Sequence, residues 1–165
     1  MNRTTFQQGL QEHLDSIRRM CETRNETIAV AESVTAGCIQ HLLSTAEAAQ
    51  QFFQGGITVY NCSQKAIHLG VDPVFADSCN GVDPSIARQM ASAVCTLFRS
   101  QVGVGITGYA TRMPEEGIND LYAYMAIVGN GRLLHEEKLQ TTYEGMAAQW
   151  DYAERTVQRL GKLLS

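Results

Sequence analysis

Ser33, Tyr60 and Lys65 are the side chains whose chemical types could together carry out nucleophilic catalysis. A serine can attack as a nucleophile when a neutral amine beside it accepts its proton, and a tyrosine can hold or relay that proton. Lys65 falls in the first turns of a helix predicted to begin near Asn61, where the helix dipole disfavours the ammonium form, as burial would. The alternative is that Lys65 is solvated and that Tyr60 only packs.

Ser33 follows a short apolar run in the segment TIAVAESVTAG, residues 27–37. Such a run is typical of a strand buried on both faces, and the hydroxyl residues after it suit a turn into a helix. Ligands bind at the carboxyl ends of strands in α/β sheets, where the amides of residues 34–37 could hold an oxyanion or a phosphate. Ser33 therefore stands where a nucleophile would stand, although a helix cap explains the same residue. A second apolar strand ends similarly on Thr107 and Gly108.

The rest of the chain alternates helix and strand signals, with one late hairpin. Apolar, β-branched or aromatic runs predict strands at residues 27–32, 57–60, 102–107, 121–128 and 133–139. Capping and turn residues predict helices at residues 34–45, between Asn61 and Gly70, and after Asp83-Pro84. Gly129-Asn130-Gly131 predicts a tight turn between the last two strands. This order predicts an α/β fold, a single three-layer α/β/α domain over residues 1–165 with a mixed, mostly parallel sheet.

The first and last predicted helices each allow two interpretations. Their apolar residues recur every three or four positions, at Phe6, Leu10, Leu14, Ile17 and Cys21 in the first helix and at Met146, Trp150, Ala153, Val157, Leu160 and Leu164 in the last. These faces either pack on the sheet or form an interface with another chain. A homo-oligomer is therefore one of the two interpretations. A purely structural partner domain that used the last helix would leave Trp150 exposed in the monomer.

The composition limits the classes of partner. Of the 165 residues 44% are hydrophobic and 18% charged, which is typical of a globular protein, and the formal net charge is −4. No segment is rich in Lys or Arg, which argues against nucleic acid and anionic membranes as partners. No apolar run is long enough for a membrane span, and the first residues contain no apolar signal segment, so we expect a cytoplasmic protein. Neither the scattered histidines nor the five widely spaced cysteines predict a metal site, and the cysteines are expected to be reduced.

Several separated motifs occur in an order that resembles the C-terminal domain of the competence/damage-inducible protein CinA. They are AES-x-T-x-G after a strand, GG-x-x-x-Y-x-x-x-x-K, and a strand that ends in TG. This family includes stand-alone nicotinamide-nucleotide amidohydrolases. The resemblance implies hydrolysis of the carboxamide of nicotinamide mononucleotide to the acid and ammonia, with no metal and no cofactor.

The resemblance also assigns roles to individual residues. Its catalytic serine, tyrosine and lysine fall on Ser33, Tyr60 and Lys65. Its substrate-binding positions fall on Glu32, Thr35, Gly37, Thr107 and Gly108.

The chain departs from the family pattern around the expected substrate. Ala36 replaces one glycine of the family's ESCTGG segment, and Gln50 replaces a serine. The glycine-rich loop after TG reads TGYATRMPEEG, in which Tyr109, Thr111 and Arg112 are larger than glycine. The arginines of the family's GDR-x-x-x-R segment are missing from residues 145–151, although Arg112 could supply a positive charge from another side.

The sequence therefore predicts an amidohydrolase that acts on a small, nucleotide-like amide and recognises phosphate differently from its family. The alternative is a catalytically inactive relative that binds a small molecule or forms oligomers on the same scaffold. Activity lost on substitution of Ser33 would distinguish the two.

Overall fold

Helices and strands alternate along the chain, and the last two strands follow each other directly. The computed structural model describes residues 3–164, with side chains from residue 9 onwards. The strands are β1 (Ile28–Glu32), β2 (Phe53–Thr58), β3 (Val102–Gly108), β4 (Leu121–Gly129) and β5 (Arg132–Thr141). The α-helices of this part of the chain are α1 (Arg3–Arg24), α2 (Cys38–Ser44), α3 (Cys62–Leu69), α4 (Pro73–Ser78), α5 (Pro84–Phe98) and α6 (Met146–Leu164).

The strands form one sheet in the order β2-β1-β3-β4-β5. β1 pairs in parallel with both β2 and β3, whereas β4 is antiparallel to β3 and β5. Only β4 therefore runs against the other strands, which confirms the predicted mixed, mostly parallel sheet. The carboxyl ends of β1 and β3 lie side by side at one edge of the sheet, where the polar residues of the motifs follow them.

Helices cover both faces of the sheet, as the three-layer prediction requires. Ile28 and Val30 of β1 belong to an apolar cluster with buried residues of α1, α2 and α6. Ala29 and Ala31, which point to the opposite face, pack instead with residues of α3, α4 and α5. β1 is buried on both faces, as its unbroken apolar run predicts.

Two glycines let α5 lie directly on β3. A Cβ atom at Gly103 would stand 2.1 Å from the carbonyl oxygen of Ala91, and one at Gly105 would stand 2.2 Å from that of Ala87. The residues between and beside them, Val102, Val104 and Ile106, face the other layer. The alternation of glycine and β-branched residues in VGVGIT therefore sets the spacing between sheet and helix.

The apolar faces of the terminal helices pack inside the domain except at Met146, which begins α6 and is 73% exposed. Leu14, Ile17 and Cys21 of α1 and Ala153, Val157, Leu160 and Leu164 of α6 are all buried. Trp150 is partly buried and lies edge-on to His41 with ring centroids 5.7 Å apart, which counts against a purely structural partner domain. The side chain of Phe6 falls outside the described side chains.

Two elements, α2 and β2, begin several residues away from the prediction, and one helix was not predicted. α2 begins at Cys38 instead of residue 34, because Ala36 (φ 51°) and Gly37 (φ 101°) form a left-handed turn. β2 begins at Phe53 instead of residue 57 and ends at Thr58, so that Tyr60 lies beyond the strand. The helix α4 was not predicted, although Asp72-Pro73 carries the same start signal as Asp83-Pro84. Within residues 3–164, no helix has both the length and the apolar character needed to cross a bilayer.

Candidate active site

Ser33 is held at the carboxyl end of β1 by the backbone of the neighbouring strand. Its N–H donates to the carbonyl oxygen of Ile106 in β3 at 3.1 Å, so its position is fixed by the parallel pairing. Only 6% of the residue is exposed. The side chain therefore reaches a cavity at the sheet edge and not bulk solvent.

Lys65 belongs to α3 and contacts this serine. Asn61 caps α3 by accepting a hydrogen bond from the N–H of Gln64 at 2.9 Å, which places Lys65 one turn into the helix. The residue is 2% exposed, and its Nζ lies 2.9 Å from Ser33 Oγ, to which it donates. If the amine is neutral, the serine hydroxyl can donate to the amine across the same contact, as a general base requires.

Burial lowers the pKa of the Lys65 ammonium, and the nearby thiols of Cys62 and Cys79 oppose this shift only in part. No carboxylate forms an ion pair with the amine among the described residues. A larger fraction of neutral amine is therefore present near neutral pH than for a solvated lysine.

The two side chains open into a cavity of about 550 Å³, a volume that suits a small organic ligand. Its wall combines hydroxyl, amide, thiol and apolar groups with one amine and one carboxylate. The lining residues are Ser33, Val34, Tyr60, Asn61, Cys62, Ser63, Lys65, Asp77, Asn80, Val82, Thr107, Gly108, Tyr109, Ala110, Thr111 and Met113.

Tyr60 lies at the rim of the cavity. It is 69% exposed, and within the described part of the chain its hydroxyl has no hydrogen-bond partner. Because Lys65 contacts Ser33 directly, a tyrosine relay is not needed to connect them. The structure thus brings together Ser33 and Lys65 and leaves Tyr60 at the entrance.

Glu32 does not face the cavity, contrary to the role that the resemblance implies. It is fully buried, and its carboxylate accepts hydrogen bonds from the N–H groups of Gly37, Ile39 and Gln40 at 2.8–3.1 Å. These bonds hold the turn after Ser33 against the start of α2. We therefore correct the role of Glu32 from a contact with the substrate to support of the turn that follows Ser33.

The same turn leaves two backbone donors next to the serine. The N–H groups of Ala36 and Gly37 are bound to Ser33 and Glu32, whereas those of Val34 and Thr35 have no acceptor among the described residues. Of these two residues only Val34 lines the cavity, so the predicted oxyanion donors at 34–37 are reduced to the N–H group of Val34.

Neither Thr35 nor Gly37 lines the cavity. Thr35 is fully buried, and its hydroxyl has no partner within the described part of the chain. Gly37 precedes α2 in a left-handed conformation that favours glycine. Their predicted role in substrate binding is corrected to a role in the turn.

Thr107 and Gly108 line the cavity, and packing within the protein explains both. The Thr107 hydroxyl donates to the carbonyl oxygen of Gly81 at 2.6 Å, which ties β3 to the loop after α4. A Cβ atom at Gly81 would stand 3.4 Å from Lys65 Nζ, so this loop forms the wall behind the amine. Gly108 allows β4 to approach, since a Cβ there would lie 2.4 Å from the carbonyl oxygen of Tyr122.

Arg112 does not line the cavity. Its Nη1 donates to Glu144 at 2.9 Å and its Nε to the carbonyl oxygen of Asn119 at 3.1 Å. The guanidinium thus fixes the loop that follows β3 to the segment before α6. Because Arg112 is bound to Glu144 and Asn119 outside the cavity, the prediction that it replaces the missing phosphate-binding arginines is wrong.

Several lining residues were not predicted as site residues. Asp77 and Asn80 come from α4 and the loop after it, and the unrecognised Asp72-Pro73 cap was the signal that could have indicated this helix. Tyr109 departs from the family's glycine-rich loop by its size, and its side chain lines the cavity. Burial raises the pKa of its phenol, and a hydrogen bond with the Asn80 side chain opposes this shift.

The arrangement suits attack on a carbonyl carbon. A buried serine with an amine at 2.9 Å supplies a nucleophile and, when the amine is neutral, a base, and the free amide of Val34 at the cavity wall can stabilise negative charge on the carbonyl oxygen. Among the described residues, no group of three or more His, Cys, Asp or Glu side chains is placed to hold a metal ion.

Comparison with known proteins gives one consistent family. The sequence model described as "CinA C-terminal domain" matches residues 10–164. The chain is 32% identical over 115 residues to a "Putative competence-damage inducible protein" of Halothermothrix orenii, covering 70% of this chain and 27% of that protein. It is 30% identical over 138 residues to a "CinA-like protein" of Synechocystis sp., covering 84% of this chain and 29% of that protein. The chain thus spans less than a third of the length of these two relatives.

A solved structure shares the fold. The CinA superfamily protein from Enterobacter cloacae superposes with a TM-score of 0.88 over 94% of this chain and 92% of that chain, at 20% sequence identity. At that identity the similarity shows the fold alone.

Proposed function

Because the chain belongs to the CinA C-terminal domain family, we propose that it hydrolyses the carboxamide of nicotinamide mononucleotide or of a related small amide to the acid and ammonia. The observation that carries the proposal is the 2.9 Å contact between Lys65 Nζ and Ser33 Oγ inside a cavity. This contact supports a serine–lysine mechanism.

In the first step, Ser33 Oγ forms a bond to the carboxamide carbon and passes its proton to the neutral Lys65 amine. The carbonyl oxygen becomes an oxyanion, which the N–H group of Val34 stabilises. The C–N bond then breaks, and the departing nitrogen takes the proton from Lys65 and leaves as ammonia. An acyl ester on Ser33 remains.

In the second step, water attacks the ester while Lys65 accepts one of its protons. The ester C–O bond breaks, Lys65 returns the proton to Ser33 Oγ, and the carboxylic acid is released. The balance requires only the amide and one water molecule, so no redox partner enters the reaction.

One observation favours a second candidate, a protein that binds such a ligand without turnover. Tyr60, to which the family resemblance assigns a catalytic role, is 69% exposed and forms no hydrogen bond with Ser33 or Lys65. A binding protein would be stabilised by its ligand and release no ammonia.

Ammonia release from nicotinamide mononucleotide and from nicotinamide riboside distinguishes the two candidates. The enzyme proposal expects release from one or both amides and a fall in rate on the order of 10³-fold or more in Ser33→Ala. Ser92→Ala is the matched control, because Ser92 is an exposed residue of α5 outside the cavity. Activity that survives in Ser33→Ala would refute the mechanism, and binding without any release would support the second candidate.

A further inference from the structure

The charged groups of the cavity wall favour a ligand that is not an anion. Among its described lining residues, Lys65 is the only one with a basic side chain and Asp77 the only one with an acidic side chain. The amine is buried and engaged with Ser33, whereas Asp77 is exposed and has no ion-pair or hydrogen-bonding partner for its carboxylate within the described chain. A ligand that enters the cavity therefore meets an unpaired carboxylate.

Asp77 lines the cavity together with the first residues of α3. The first N–H groups of a helix have no partner inside that helix and attract anions, and Cys62 and Ser63, the first residues of α3, line the cavity. Asp77 lines the cavity with them and also shares the adjoining groove with both residues. A phosphate at the start of α3 would be repelled by this carboxylate.

Among the described residues that line the cavity, no arginine offsets this repulsion. The nearby Arg112 is held by Glu144 and by the carbonyl oxygen of Asn119, outside the cavity wall. Asp77 itself lies in the last turn of α4, where the helix dipole disfavours a carboxylate. The acidic residue is thus not explained by the stability of its own helix.

We propose that Asp77 determines substrate specificity: the cavity selects amides carried on a neutral or positively charged group and discriminates against the same amides bearing a phosphate. This inference rests on the proposed amide hydrolysis. Nicotinamide riboside and nicotinamide mononucleotide are a matched pair for it, because both carry the carboxamide on a positively charged ring and they differ by one phosphate group.

The test measures both turnover and binding. In turnover, the wild-type protein is expected to have a higher kcat/KM for the riboside than for the mononucleotide. Asp77→Asn should raise the ratio of kcat/KM for the mononucleotide to kcat/KM for the riboside by about fivefold, as expected for removal of one partly screened charge. Binding is measured by calorimetry on Ser33→Ala, which cannot turn the ligands over, with and without Asp77→Asn. Asp77→Asn should fold at least as stably as the wild type, since it removes an anion from a helix C-terminus.

Glu12→Gln is the matched control, because it removes one exposed carboxylate on α1, outside the cavity. It should leave both the kinetic and the binding ratio unchanged. Tighter binding of the mononucleotide, equal effects of Asp77→Asn on both ligands, or no binding of either overturns the inference. The binding comparison decides this even if no amide is hydrolysed, in which case the proposed function fails separately.

Discussion

At the scale of single residues, the catalytic role proposed for Lys65 conflicts with the stability of the fold. A buried amine with a lowered pKa disfavours folding at any pH at which it must carry a proton. We expect Lys65→Met to abolish amide hydrolysis and to raise the free energy of unfolding at pH 7 by about 1 kcal/mol, since methionine fills similar space without a charge.

The pH dependence of this difference has a defined sign. The unfolded chain titrates Lys65 near 10.5 and the folded chain below it, so between these values the unfolded state binds more protons and wild-type stability rises with pH. The advantage of Lys65→Met should therefore shrink between pH 7 and pH 10 in urea denaturation. A variant less stable than the wild type at both pH values would contradict the prediction.

Ala36 provides a second prediction at this scale. Its φ of 51° lies in the left-handed region, which disfavours any side chain with a Cβ atom. Ala36→Gly should stabilise the protein by about 0.5 kcal/mol, because the relief of strain exceeds the added flexibility of the unfolded chain. The control is Ala147→Gly, in an exposed position of α6, which should cost about 1 kcal/mol. Thermal denaturation of both variants checks that Ala36→Gly raises the stability of the protein and that Ala147→Gly lowers it.

The sequence predicts the two residues of the proposed chemical step better than it predicts the residues that form the cavity wall. Ser33 and Lys65 follow a strand and a capping residue that local patterns predict, so their approach could be anticipated. Asp77 and Tyr109 enter the cavity through a helix and a loop whose positions depend on packing between distant segments. The role of Glu32 was misassigned because its three backbone partners exist only once the turn has formed.

At the scale of elements, the contact of β3 with α5 depends on glycine. A methyl group at Gly105 would press on the backbone of Ala87 and Ala91, which cannot move independently of α5. Gly105→Ala should therefore lower the free energy of unfolding by about 3 kcal/mol. Gly9→Ala in α1 is the control, because no atom lies within 4 Å of the added methyl group and helix propensity rises. Equal stability of the two variants in chemical denaturation would show that the helix does not lie this close.

An ion pair fastens the edge strand β5 to α6. Arg159 donates to both oxygens of Glu137, through Nη2 at 3.0 Å and through Nε. This bond, followed by that of His135, lowers the pKa of Glu137 to about 2 against the opposing effect of burial. Because solvent reaches Arg159, we expect Glu137→Gln to cost about 1 kcal/mol at pH 7.

The contribution of Glu137 should be present above its unfolded pKa of 4.5 and disappear as the pH falls towards 2. Acid titration of stability, compared between the wild type and Glu137→Gln, measures this window. Glu136→Gln, which breaks the exposed pair with Arg88, is the matched comparison and should show a smaller effect. A constant difference between the wild type and Glu137→Gln from pH 7 to pH 2 would exclude an electrostatic origin.

At the scale of the whole molecule, hydrophobic patterns predicted the α/β class and the mixed sheet. The buried strand β1 and the tight turn at Asn130-Gly131, with φ of 49° and 75°, follow directly from local residue types. The late start of α2 could not be predicted, because Glu32 and the left-handed turn displace it through contacts that form only on folding. α4 is six residues long and was missed because so short a helix shows little periodicity.

The order of strands also has a kinetic consequence. β4 and β5 are joined by two residues and can pair within about 1–10 μs, whereas β1 and β3 must pair Ile28 with Val102 across the intervening helices and β2. Ser33 is anchored by that late parallel contact. During refolding, most secondary structure should therefore return before Ser33 is in place, so that recovery of the proposed activity lags behind recovery of the circular dichroism signal. A newly made chain would then resemble the finished protein for some time before it could bind or transform its ligand.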